Sequence, residues 1–181
     1  MTIYIALLRG INVSGHNMIR MDDLKKIFED LHLLNVRTYI QSGNVVFRSD
    51  IAEPVQLASD IAKGIKSTTG FDVPVLLLTQ HELQNIISQN PFIQENVKDP
   101  AFLHVTFLTS ETSQEKVMEI EARKAAGEEF RILGKAVYLY LPHGYGRTKL
   151  NNSLFESKLK VHTTTRNWKT ILELARMAGK E

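Results

Sequence analysis

Most of the chain's scope for chemistry lies in one stretch, Arg9-Gly10-Ile11-Asn12-Val13-Ser14-Gly15-His16-Asn17-Met18-Ile19-Arg20. It holds two arginines, two glycines, two asparagines and a histidine. An apolar segment, Ile3 to Leu8, runs into it, and an amphipathic helix beginning near Met21 leaves it. A helix N-terminus offers unpaired N–H groups and the positive end of a dipole, so phosphate or carboxylate binds there readily. Arg9 and Arg20 would add charge, while Asn12 and Asn17 would add amide donors. The plainer alternative is that the asparagines hold left-handed turn geometry and the arginines are solvated. Ser14 precedes a glycine, but a turn serine is far more often structural than nucleophilic.

Other chemistries find less support. Gly10 to Gly15 lacks the Lys-Ser/Thr of a Walker loop and the spacing of a dinucleotide fingerprint. No Gly-x-Ser-x-Gly elbow is present. The six histidines, His16, His32, His81, His104, His143 and His162, form no His-x-His or His-x-x-x-His pair, so no metal site is expected. His32 and His81 fall at helix ends and His104 in mid-strand, all ordinary structural places. His16 and His143 remain as acid–base groups if the protein is an enzyme. No cofactor is implied. There is no cysteine, which removes disulfides and thiolate chemistry and suggests a reducing, cytoplasmic setting. No apolar run approaches the ~20 residues of a membrane span, and Ile3–Leu8 is preceded by no basic region and followed by Arg9, so no signal peptide is expected.

A second polar group lies late in the chain. Pro142-His143-Gly144-Tyr145-Gly146-Arg147-Thr148-Lys149 interleaves glycine, aromatic and basic residues, and Thr163-Thr164-Thr165-Arg166-Asn167-Trp168 feeds a terminal helix. Arg166 and Asn167 are expected in that helix's first turn, where an arginine opposes the dipole and needs an anion, a partner or solvent. Net charge is +2, but Pro142 to Glu181 holds eight basic residues against three acidic ones, a balance of +5. Such asymmetry favours an anionic partner, although a solvated helix with spare lysines explains it as well.

The elements that must position these residues follow from periodicity. Leu24, Ile27, Phe28 and Leu31 form a helical stripe. Val36–Ile40 and Val45–Phe47 flank a Gly43-Asn44 hairpin turn. Pro54 opens a helix with Leu57, Ala58, Ile61 and Ile65 inward, and Gly70 ends it. Val73–Leu78 is a well-buried strand. Thr79 and Glu82 form a capping box for a short helix, stopped at Asn90-Pro91. The order then repeats: a strand at Phe102–Leu108, a helix capped by Thr112 and Glu115 and running to about Ala126, and a hairpin through Gly134-Lys135 joining Phe130–Leu133 to Ala136–Leu141. A helix capped by Ser153 and Glu156 follows, then a strand at Val161–Thr164. A terminal helix from Thr165 buries Trp168, Ile171, Leu172 and Ala175. The chain is therefore expected to be α+β, two βαββαβ units over 1–79 and 80–181, the second with a linker helix and a C-terminal helix. In the second unit the connection matching Arg9–Arg20 is only Thr109–Thr112, so the first loop is an elaboration. Right-handed crossovers bring it beside Gln41, Ser42 and Asn44.

Four motifs carry a resemblance: Ala6-Leu7-Leu8-Arg9-Gly10-Ile11-Asn12-Val13, Thr38-Tyr39-Ile40-Gln41-Ser42-Gly43-Asn44-Val45, Lys149-Leu150, and Thr164-Thr165-Arg166-Asn167-Trp168. Together the chain resembles the bacterial family called domain of unknown function 1697, from first strand to last helix. The resemblance implies a cytoplasmic protein of two consecutive ferredoxin-like subdomains and no assigned activity. It also implies a second glycine where this chain has Ser14.

The expectation that follows is a protein binding a phosphate-bearing small molecule or nucleic acid, with Arg9, Asn12, His16, Asn17, Lys149, Arg166 and Asn167 around one basic cleft between the subdomains. An enzyme using His16 or His143 and a protein-interaction scaffold are the alternatives, and oligomeric state is open. If the first sheet read RNA, aromatic residues should line its central strands. Tyr4 and Phe47 are available, but the basic–glycine–aromatic signature is absent.

Overall fold

The computed structural model describes residues 1–96, 98–112 and 116–180. It divides the chain into Met1–Asn85 with Glu173–Glu181, and Ile86–Leu172. The first unit contains β1 (Thr2–Leu8), α1 (Met21–Asp30), β2 (Leu34–Tyr39), β3 (Asn44–Ser49), α2 (Pro54–Thr69), β4 (Val75–Thr79) and the start of α3 (Gln80–Ser88). Its antiparallel sheet has the order β2-β3-β1-β4, the ferredoxin-like arrangement. Tyr4, Ala6 and Leu8 of β1 and Val45 and Phe47 of β3 face Leu24, Ile27, Phe28, Leu57, Ile61 and Ile65 of the two helices. Pro54 stands at the start of α2 and Gly70 closes it at φ 79°. Thr79 and Glu82 make both halves of the capping box, Thr79 N–H donating to Glu82 Oε2 (2.7 Å) and Glu82 N–H to Thr79 Oγ1 (3.2 Å).

The second unit contains α4 (Pro91–Gln94), β5 (Leu103–Leu108), α5 (Val117–Glu121), β6 (Glu129–Leu133), β7 (Ala136–Tyr140), α6 (Asn152–Leu159), β8 (Thr163–Asn167) and the start of α7 (Trp168–Ala178). Its sheet order, β6-β7-β5-β8, repeats that of the first unit. Gly43 and Gly134 both sit in strand-to-strand turns with positive φ, 76° and 56°. The core under this sheet is built from Leu108, Phe130, Val137, Leu139, Phe155 and their neighbours. Among the described residues no helix is long and apolar enough to cross a membrane.

Several local expectations are corrected. The described α5 ends at Glu121 rather than near Ala126. Beyond Ile120 the segment offers no further large apolar residue to bury, and a short helix without a packed face does not propagate. Glu115 lies outside the described residues. The described part of this helix begins at Val117. Helix α6 is capped by Asn151, whose Oδ1 accepts from Leu154 N–H at 3.0 Å, not by Ser153. Glu156 instead accepts the Thr163 N–H (3.0 Å). Strand β8 continues to Asn167, and α7 starts three residues later than expected. Its buried stripe is Trp168, Ile171, Leu174 and Met177, while Leu172 is exposed. Arg37 of β2 donates to Met177 O (2.7 Å), a cation placed where a helix C-terminus favours one.

Candidate functional site

The Arg9–Arg20 loop is a miniature hairpin. Ile11 and Ile19 are buried and fix its two ends. Between them Asn12 N–H donates to Asn17 O (3.2 Å) and His16 N–H to Val13 O (2.9 Å). Ser14 and Gly15 close the turn with φ of 50° and 79°. Two successive positive φ values are the signature of a type I′ turn. Glycine is the low-strain occupant of such positions, which gives a physical reason for a glycine to be expected where Ser14 stands.

The asparagines act as frame. Asn12 Nδ2 donates to Ile19 O (2.9 Å) and to Gln41 O (2.8 Å), and Asn12 Oδ1 accepts from Ile19 N–H (2.8 Å). Asn17 Nδ2 donates to Gly10 O (3.0 Å). Asn12 and Asn17 also sit at φ 53° and 46°, left-handed geometry that asparagine tolerates best among residues with a side chain. The Asn12 amide is engaged through both its nitrogen and its oxygen, while Asn17 spends one N–H on the Gly10 carbonyl. The expected approach to the β2–β3 turn is present: besides the Asn12–Gln41 bond, Leu8 N–H donates to Gly43 O (2.8 Å). A Cβ on Gly43 would stand 2.6 Å from Ile11 Cδ1 and 2.8 Å from Leu8 Cβ, so only glycine fits. The loop leaves His16 and Arg20 exposed and Arg9 half-buried. The depression of about 340 Å³ beside it is rimmed by Asp23 and Asp30, with Lys26 between them, and is poorly suited to an anion.

Tyr4 and Phe47 are not base-stacking platforms. Both face the helices of their own unit, 2% and 0% exposed, and Phe47 packs edge-on against Phe28.

In the second unit Arg166 is a strand residue, paired opposite Val105. The dipole argument for an anion at Arg166 therefore lapses. Its guanidinium is buried and donates from Nη1 to Thr164 Oγ1 (2.7 Å) and Thr165 O (2.8 Å). Burial pushes its pKa down to about 10, with Tyr145 acting in the opposite direction. Asn167 is the cap of α7, its Oδ1 accepting from Thr170 N–H (2.8 Å). Lys149 and Arg147 are exposed. Of the seven expected residues, Arg9, Asn12, His16 and Asn17 thus share one loop, and Lys149, Arg166 and Asn167 do three different things in the second unit.

A hydroxyl network in that unit was not anticipated. Thr106 and Thr165 Oγ1 atoms are 2.7 Å apart, and Asn152 Oδ1 accepts from both Thr163 Oγ1 (3.0 Å) and Thr165 Oγ1 (2.8 Å). Tyr145 OH donates to Thr165 Oγ1 (3.3 Å) and accepts from Asn152 N–H (3.2 Å). The Tyr145 ring stacks on His104, with centroids 5.5 Å apart. Burial lowers the His104 pKa, with the Phe102 backbone opposing. The alternation of Leu103, Val105 and Phe107 with His104 and Thr106 was the available signal, since it sets the polar pair on one face. Tyr145 thereby pins the glycine-rich loop and leaves Arg147 outside.

The solved structure of conserved bacterial protein SP0830 from Streptococcus pneumoniae is similar over nearly the whole length. Identity is 26%, coverage is 98% of each chain, and the TM-score is 0.76. No curated protein matches. Residues 1–138 match the family described as "Protein of unknown function (DUF1697)", and the chain belongs to that family.

Proposed function

We propose that this member of the DUF1697 family binds a phosphate-bearing ligand, a nucleotide or nucleic acid, and that the Arg9–Arg20 hairpin loop is the element that meets it. The observation that carries this reading is the loop's construction. It is a polar projection fixed by Asn12 and Asn17. Its exposed side chains include His16 and Arg20. Long loops held rigidly on a regular scaffold are where binding residues concentrate.

The test is fluorescence anisotropy with labelled single-stranded RNA and with a nucleotide panel, titrated with salt. Affinity should fall steeply as salt rises, because neutralised phosphates release counterions. Replacing both Arg9 and Arg20 with Ala should weaken binding roughly tenfold or more and flatten the salt slope by about one unit for each phosphate no longer neutralised. The pair Arg147→Ala and Lys149→Ala measures whether the basic C-terminal fifth contributes as well. Affinity that does not change between low and physiological salt overturns the proposal.

A further inference from the structure

The four sheet-edge strands are finished differently. In β2 the register shifts between Leu34 and Arg37 and Asn35 takes φ 52°, a bulge that breaks the edge. In β6 Glu129 and Arg131 place charges on the strand, and Arg131 Nη1 donates to Phe130 O (3.0 Å). In β8 the bond from Thr109 N–H to His162 O (3.1 Å) sets the ladder phase, so that Thr163 and Thr165 turn their backbone groups outward. Glu156 accepts the outward Thr163 N–H and Arg166 donates to the outward Thr165 O. Such devices are how proteins prevent one edge from pairing with another.

Strand β4 has almost none of them. Arg9 N–H donates to Pro74 O (3.0 Å), so Pro74, Leu76 and Leu78 address β1 while Val75, Leu77 and Thr79 point outward. The Thr79 N–H is taken by Glu82. Among the described residues nothing bonds the outward N–H or C=O of Val75 or Leu77. The strand, Val75-Leu76-Leu77-Leu78-Thr79, carries no charge, bulge or internal proline.

We propose that β4 is the self-association edge of this protein, pairing antiparallel with β4 of a second copy about a two-fold axis at Leu77. The pattern is self-complementary. Leu77 faces Leu77 as a doubly hydrogen-bonded pair, and Val75 N–H reaches Thr79 O in both directions. Leu76 lies opposite Leu78, extending the face that Ile5 and Leu7 begin on β1. No like charges are brought together on the strand, and each copy uses the same patch, as a closed two-fold dimer requires.

Sedimentation velocity on the full chain, from low micromolar to submillimolar concentration, should show mass rising twofold. Hydrogen exchange followed residue by residue on the same samples should show the Leu77 amide gaining protection roughly tenfold or more with concentration, while amides of β8 stay constant. Leu77→Pro and Val75→Pro remove only outward donors, the one kind of strand position where proline is accepted. Either variant, once circular dichroism shows it folded, should remain monomeric. A wild-type chain that stays monomeric throughout overturns the proposal. So does a dimer whose Leu77 amide gains no protection, or one that survives in a folded proline variant.

Discussion

Strand β4 reads Val75-Leu76-Leu77-Leu78-Thr79, and β8, at the corresponding place in the second sheet, reads Thr163-Thr164-Thr165-Arg166-Asn167. Both are five-residue strands following a helix, and both pair antiparallel with the first strand of their unit. On the helix-facing side, Val75 and Leu77 join an apolar core with Ala6 and Leu8. In the second sheet Thr163 and Thr165 stand there instead, next to Thr106, and are tied by Asn152 and Tyr145. One topology therefore accepts either burial of methyl groups or a closed set of hydroxyl bonds on the same side. The hydrogen-bonded version is the more demanding one, because each member depends on the others for its partner.

That difference can be attacked most directly at Asn152. Asn152→Ala removes the acceptor shared by Thr163 and Thr165 and should cost about 2–3 kcal/mol, since two partly buried hydroxyls lose a partner at once. Urea unfolding followed by Trp168, the chain's one tryptophan, reads this out. A loss below about 0.5 kcal/mol would show the network to be ornamental.

A smaller effect is expected from pH. His104 has its folded pKa held below the ordinary 6.5 by burial. The unfolded chain thus binds the proton more readily, so the stability is present above about pH 6.5 and declines as pH falls toward the folded value. His104→Phe should remove that part of the acid-side decline while keeping the contact with Tyr145. Equal slopes for wild type and variant between pH 7.5 and 5.5 would leave His104 without this role. The smallest change belongs to the first unit. Ser14→Gly relieves a left-handed backbone at a turn that favours glycine and should raise stability by about 0.5–1 kcal/mol. Thermal melting checks it, and a lowered midpoint would contradict the turn geometry.

Local chemistry made much of this architecture readable beforehand. The stripe of α1, Pro54 and Gly70 around α2, the Thr79–Glu82 box and the two glycine turns all depend on residues close together in sequence. The readings that went astray depend on distant partners. Thr165, Arg166 and Asn167 suit a strand or a helix start almost equally, and only pairing with Val105 and His104 decides for the strand. The phase of α7 followed that boundary, so Leu172 was expected inside in place of Leu174 and Met177. In the candidate site, the convergence of the first loop with Gln41 followed from topology. The roles of Asn12 and Asn17 did not, because an amide's composition is the same whether it faces inward or toward a ligand.

The close seat of Gly43 against Ile11 and Leu8 has a kinetic consequence for the loop beside it. On the proposed reading, a segment wedged at its base and latched through Asn12 is held in its final shape before the ligand arrives. Association should then proceed as a single encounter step whose observed rate grows linearly with ligand concentration, without the plateau that a slow closure imposes. Little ordering entropy is lost on capture. If the proposed ligand binds there, the loop acts as a fixed fitting and selectivity comes from the ligand matching its contour.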